Sequence, residues 1–175
     1  MNTWPEQSTL TLAAVPDAAY WARRHLQDVL LKWHLEALLA DAALVTTELV
    51  TNALKISGGL DLAARVGGVE SSAGGSVEDD PALDGRCQPV LLTRVEKLQV
   101  VRLRLSAAPG RLLIEVWDRN EEPPEEQVPD FVSESGRGLF VVGAFSEAWG
   151  WYPTPAAGKV VWAELRESSS AVGQS

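Results

Sequence analysis

Residues 39–56, LADAALVTTELVTNALKI, carry the clearest structural signal in the chain. The run is long and rich in good helix formers, and Ser57-Gly58-Gly59 after it is typical of a helix C-terminus. We therefore predict a helix over Leu39–Ile56. At about 100° per residue, Glu48, Asn52 and Lys55 fall on one face of that helix, beside apolar positions.

Shorter patterns flank this helix on both sides. Alternating apolar residues predict strands, and apolar residues at helical spacing predict helices. The segments, in chain order, are a strand at Thr9–Val15, a helix at Asp17–Trp33, strands at Val101–Leu105 and Arg111–Asp118, a helix at Leu139–Phe145, and strands at Ala148–Tyr152 and Lys159–Arg166. This order predicts an α/β protein of the α+β kind, a two-layer sandwich with helices on one face of a mixed sheet.

The 175 residues suit one domain, which we expect over residues 8–166. The segment at about 60–96 is dense in Gly, Ser, Asp and Pro, so we predict a flexible insertion there. A disordered tail is expected at 167–175.

Composition limits the classes of function. The formal net charge of −9 argues against direct binding of nucleic acid, which needs a basic surface. The single cysteine, Cys87, cannot form an internal disulfide. Because no run approaches the roughly 20 apolar residues of a membrane span, we expect no membrane association and a cytoplasmic location.

Two carboxylates and an amide are candidates for chemistry. Glu48 and Asn52 could supply oxygen ligands for Mg²⁺ or a base that orients water. Alternatively, both residues simply lie on the solvated face of an amphipathic helix. Asp118 ends a predicted strand, where side chains often contact ligands, although it could simply cap a turn.

A further candidate is the segment Gly136-Arg137-Gly138-Leu139, which opens a predicted helix. Glycines and a helix N-terminus favour a phosphate group, and Arg137 could add a positive charge. The alternative is a glycine loop that only reverses the chain. Before it, residues 118–135 hold seven acids and one base, which indicates either a solvated loop or a docking face for a basic partner.

Taken in order, ELVTNALKIS, a strand ending in Asp, GRGL and a final strand after Gly-Lys resemble the histidine-kinase-like ATPase domain of the GHKL superfamily. The most similar branch is the bacterial anti-sigma-factor serine kinases and their actinobacterial relatives. The match covers about residues 10–59 and 98–165. It implies a Bergerat-type fold that binds ATP with Mg²⁺.

The resemblance also implies roles for individual residues. Asn52 matches the magnesium-binding Asn, Glu48 the acidic residue that polarises the attacking group, and Asp118 the Asp that recognises the adenine amino group. The phosphates would be covered by a glycine box that matches Gly136, Arg137, Gly138 and the following Leu139, and Lys55 lies on the same helix face as Asn52.

The chain departs from the family pattern at two places. No glycine follows Asp118, where the family usually has Asp-x-Gly-x-Gly, and Lys159 stands where the family usually has Thr.

The resemblance implies an ATP-dependent serine/threonine protein kinase and anti-sigma factor that controls transcription by partner switching. Its partners would be a sigma factor, an anti-sigma-factor antagonist, or both, and homodimers are implied. The alternative is a non-catalytic protein-interaction module with a degenerate nucleotide site. A sensor-kinase ATPase fragment is less favoured, because no phosphoacceptor-His domain is present.

Overall fold

The computed structural model describes residues 4–56, 99–124 and 137–167. The predicted insertion at 60–96, Gly136 and the part of the acidic segment at 125–135 lie outside these residues. The predicted tail also lies outside them, except for its first residue, Glu167.

The order of helices and strands predicted from the sequence is confirmed in this part of the chain. A short 3₁₀ turn at Glu36–Leu38 precedes the second helix. The elements are β1 (Glu6–Ala13), α1 (Ala18–Lys32), α2 (Leu39–Ile56), β2 (Val100–Ala108), β3 (Arg111–Asp118), α3 (Arg137–Phe145), β4 (Ala148–Pro153) and β5 (Lys159–Arg166).

The five strands form one sheet in the order β1-β2-β3-β5-β4, and each described pairing is antiparallel. The prediction of a mixed sheet is therefore wrong for the described strands. β3 and β4 do run in the same direction, because each pairs antiparallel with β5. They are not neighbours, since the hairpin places β5 between them.

The folded region is longer than predicted at both ends. β1 begins at Glu6, because its polar first residues still pair with β2 at the edge of the sheet. At the other end, the backbone N–H of Glu167 donates to the carbonyl of Gly110 at 3.0 Å. Glu167, the first residue of the predicted tail, is thus held at the β2–β3 turn.

The core lies between the sheet and α2, the central helix. α2 packs against β2, β3 and β5 on one side and between α1 and α3 on the others. Alternate strand residues such as Leu103 and Ile114 are fully buried and meet Val45 and Leu49 of α2 in one apolar cluster. Thr46 is also fully buried, and its Oγ1 has no hydrogen-bond partner among the described residues.

The helical stretch Glu36–Lys55 is long and apolar enough to cross a membrane, with a mean hydropathy of 1.3 over its most apolar window. Core helices of soluble proteins pass the same test, and 44% of that window is buried within the protein.

Candidate functional site

Three of the predicted site residues meet where α3 begins. Gly138 is the second residue of α3 and lies directly against α2. A Cβ at Gly138 would lie 2.8 Å from Oε2 of Glu48, 3.1 Å from Nδ2 of Asn52 and 3.2 Å from Oδ1 of Asn52. Only glycine therefore allows α3 to approach these two side chains without displacing them.

The two helices fix this arrangement from opposite sides. Glu48 and Asn52 are four residues apart on α2, so they lie one above the other on the same face. On α3, the side chain of Leu139 is buried in the core, so it anchors the first turn and leaves only its backbone for a ligand. We call the group of Glu48, Asn52 and Gly138 the α2–α3 cluster.

The α2–α3 cluster combines features that suit a metal–phosphate ligand. The first N–H groups of a helix have no partner within the helix and carry partial positive charge, which favours an anion. A carboxylate oxygen and an amide oxygen are ligands that Mg²⁺ prefers. Both side chains are half-buried, so they are partly shielded from water yet accessible.

No group of three or more His, Cys, Asp and Glu side chains that could hold a metal ion occurs in residues 4–56, 99–124 and 137–167. This does not conflict with a magnesium–nucleotide site, because Mg²⁺ is often held by one or two protein ligands plus the phosphates. The α2–α3 cluster therefore has the side chains and the helix N-terminus that suit a Mg²⁺-bound phosphate group.

The remaining predicted residues near this cluster have simpler positions. Lys55 is exposed in the last turn of α2, one turn beyond Asn52. Arg137 is the first residue of α3.

Asp118 is held in a buried ion pair that the sequence analysis missed. Its carboxylate Oδ1 accepts a hydrogen bond from Nζ of Lys159 at 2.9 Å, and the two side chains are 2% and 1% exposed. Oδ1 also accepts from the backbone N–H of Asn120 at 2.9 Å, and Lys159 donates to the carbonyl of Asn120 at 3.2 Å. The end of β3, the start of β5 and the turn after β3 are thus joined by one polar network.

The turn before β5 fits closely against this network. Gly158 has φ +87°, a backbone conformation that favours glycine, and a Cβ there would collide with the carbonyl oxygen of Asp118. Thr154 closes the turn by donating to the carbonyl of Ala157 at 2.7 Å. Thr154 also accepts from Nε1 of Trp117 at 3.3 Å, which ties the β4–β5 hairpin to β3.

Two cavities formed by described residues could hold a small-molecule ligand. One, of about 590 Å³, lies at the end of β3, and its described lining is Gln99, Arg119, Asn120 and Glu122. Its size lies in the usual range for small-molecule pockets. Another, of about 700 Å³, lies between α1 and the start of α2 and holds none of the predicted site residues.

The sheet face opposite the helices carries a charged network. Arg104 donates to both carboxylate oxygens of Glu115, at 2.6 and 2.8 Å, and the hydroxyl of Tyr152 donates to Oε1 at 3.0 Å. The hydrogen bond to Glu115 raises the pKa of Arg104, and burial, followed by the bond to Glu115, raises the pKa of Tyr152. These groups hold β2, β3 and β4 together and lie on the other face of the sheet from the α2–α3 cluster.

Neither histidine belongs to the candidate site. His25 on α1 lies within hydrogen-bonding distance of Ser8 on β1, with Nε2 and Oγ 3.0 Å apart. Burial lowers the pKa of His25, and the charge of Asp28 opposes that shift. His34 is largely exposed, and its φ of +58° places it at the turn after α1.

Comparisons with models of known protein families and with curated protein sequences find no match to this chain. What the chain does is therefore inferred from its residues, their geometry and the resemblance of its motifs.

Proposed function

We propose that this chain is a Bergerat-type, Mg²⁺-dependent ATP-binding protein that acts as an anti-sigma factor and serine protein kinase. It would control transcription in the cytoplasm by switching between protein partners, a sigma factor and an anti-sigma-factor antagonist, and would act as a homodimer. The observation that carries this proposal is the contact of Gly138 with Glu48 and Asn52. The helices on one face of the five-stranded sheet are compatible with the fold that the motifs imply.

Each residue of the α2–α3 cluster has a distinct part in the proposed activity. Asn52 would hold Mg²⁺ through its amide oxygen, and the first turn of α3 would bind phosphate oxygens with its backbone N–H groups. Glu48 would accept a hydrogen bond from the substrate hydroxyl and orient it toward the terminal phosphate. Bound Mg²⁺ supplies charge neutralisation for phosphoryl transfer, in which positioning and electrostatics provide most of the catalysis.

Titration calorimetry with ATP, in Mg²⁺ and in EDTA, tests the binding step. We expect the wild type to bind ATP more tightly with Mg²⁺, and Asn52→Ala to lose that difference because the metal ligand is gone. Thr51→Ala, at the adjacent position of α2, is the matched control and should keep it. If Asn52→Ala retains the full Mg²⁺ dependence, Asn52 is not the ligand.

Phosphoryl transfer needs a separate test, because the site could bind ATP without using it. Proteins that co-purify with the chain are incubated with it and ATP labelled at the terminal phosphate. Glu48→Gln should bind Mg²⁺–ATP with wild-type affinity and lose at least about a hundredfold in transfer rate, the usual contribution of a positioned base. An equal transfer rate in Glu48→Gln would remove Glu48 from the mechanism.

A specific observation favours the second candidate, a non-catalytic protein-interaction module. Asp118 is paired with Lys159 and buried, which does not fit a carboxylate that recognises adenine. The described residues after it, Arg119 to Pro124, also include no glycine. In this case, no ATP binding would be detected by calorimetry, while the co-purified partners would still bind.

A further inference from the structure

We infer that Lys159 fills the place at which the proposed site would recognise adenine, so that the site binds Mg²⁺-bound nucleoside triphosphates without discriminating between bases. This inference rests on the proposed function and concerns the ligand of that same site. Asp118 would then not recognise adenine, as the resemblance implies, but would serve as the acid of a closed ion pair with Lys159.

Asp118 already uses one of its carboxylate oxygens in two hydrogen bonds. A carboxylate that recognises adenine must accept a hydrogen bond from the exocyclic amino group. Oδ1 of Asp118 already accepts from the Lys159 ammonium and from the Asn120 backbone N–H, both at 2.9 Å. The ammonium and the backbone N–H thus occupy Oδ1, so an amino group of a base would have to reach Oδ2.

The ion pair is closed to a ligand. The side chains of Asp118 and Lys159 are only 2% and 1% exposed, so a base cannot lie against either while the pair is closed. A cavity adjoins this network at Asn120, but neither charged side chain of the pair lines it. A base in that cavity would meet Asn120 and its neighbours rather than the buried carboxylate.

The ion pair of Asp118 and Lys159 is held from several sides. Asp118 and Lys159 are directly opposite each other in the β3–β5 pairing, so the sheet itself sets their separation. Lys159 is also bound to the carbonyl of Asn120 at 3.2 Å. Displacing the ammonium would leave it buried without its acceptors, which is strongly unfavourable. A neutral amino group of a base is a poor competitor for a partner that carries a full charge.

The proposed phosphate site does not depend on this ion pair. The α2–α3 cluster is built by α2 and α3, and the ion pair is built by β3 and β5. The ion pair that blocks recognition of the base therefore leaves the Asn52 amide oxygen and the first turn of α3 in place. Binding free energy would come from Mg²⁺ and phosphate contacts, which all nucleoside triphosphates share.

Calorimetry on the wild-type protein with ATP, GTP and UTP in the presence of Mg²⁺ tests this inference without any variant. We expect the three dissociation constants to agree within about a hundredfold, the discrimination that apolar contact alone provides. If ATP binds more than about a hundredfold more tightly than GTP, its amino group has a buried polar partner, and the inference is wrong while the proposed function stands. If none of the three binds, the proposed function fails and the inference fails with it.

Lys159→Thr gives a second, independent readout, because it removes the ammonium and restores the residue type that the family usually has. In the folded variant, the ratio of GTP to ATP dissociation constants should rise at least about tenfold, since Asp118 is now free to accept from adenine. An unchanged ratio in a folded variant would overturn the inference. If Lys159→Thr does not fold, the wild-type comparison decides the matter by itself.

Discussion

Gly138→Ala separates a ligand site from simple helix packing, because the new methyl group enters the α2–α3 cluster. Its Cβ would lie 2.8 Å from Oε2 of Glu48, where ordinary contact begins at 3.4 Å, so the carboxylate must retreat by about 0.6 Å. The Asn52 amide must retreat by two to three tenths of an ångström. Since a 1 Å misplacement in such a site can cost about a hundredfold, the smaller shift of Asn52, the proposed metal ligand, should lower Mg²⁺–ATP affinity about threefold.

Stability should respond differently from affinity. The displaced atoms are the ends of flexible side chains, and alanine is favoured over glycine in a helix by about 0.5–1 kcal/mol. The free energy of unfolding of Gly138→Ala, measured by urea denaturation, should therefore lie within about 1 kcal/mol of the wild type.

Gly143→Ala, on the same helix, is the matched control. Its Cβ would lie 3.2 Å from Nε1 of Trp149 and contacts neither Glu48 nor Asn52. It should leave Mg²⁺–ATP affinity unchanged. Wild-type affinity in Gly138→Ala, or an equal loss of affinity in both variants, would refute the assignment of the α2–α3 cluster as the phosphate site.

Three further predictions concern other parts of the fold. Thr46→Val removes a buried hydroxyl without a described partner, so urea denaturation should show a gain of about 1 kcal/mol; a loss would mean that the hydroxyl has a partner. Lys159→Met leaves Asp118 charged and buried, so the free energy of unfolding should fall by about 3–5 kcal/mol. Adding Asp118→Asn should restore most of that loss. A fall of less than about 1 kcal/mol in Lys159→Met would contradict the buried pair. Because burial lowers the pKa of His25 below 6.5, its contribution to stability is fully present above pH 6.5 and declines as the pH falls toward the lower folded-state pKa. Thermal denaturation of His25→Gln from pH 8 to 5 should show less acid destabilisation than the wild type, and parallel curves would contradict this account.

The elements were predictable because their signals are local. α2 has the predicted bounds, Leu39–Ile56, because a run of helix formers is followed by Ser57-Gly58-Gly59, which is typical of a helix C-terminus. Likewise, β3 and β5 match their predicted bounds, where alternation is regular. By contrast, β1 begins earlier than predicted, because its first residues are polar and exposed and gain order only from pairing with β2.

The direction of the strands was not predictable in the same way. Alternating apolar residues show that a strand is half-buried, but they do not show which strand lies beside it. The β4–β5 hairpin places β5 next to β3, and this long-range choice makes the described sheet antiparallel.

The candidate site was only half predictable. The helical period places Glu48 and Asn52 on one face, but the approach of Gly138 depends on how α3 packs against α2. The ion pair of Asp118 and Lys159 joins residues 41 apart in the chain. A signal for it was present, because the two opposite charges stand where two predicted strands end and begin, and opposite charges favour cross-strand pairing.

The most direct test of the account is to locate the metal of a bound nucleotide. Mn²⁺ prefers the same oxygen ligands as Mg²⁺, and its unpaired electrons broaden the NMR signals of nearby nuclei. With Mn²⁺–ATP, we expect strong broadening of the amide signals of Glu48, Asn52 and Gly138, while those of Ser8 and His25 stay sharp. Sharp signals at the α2–α3 cluster, with broadening elsewhere in the protein or none at all, would contradict it.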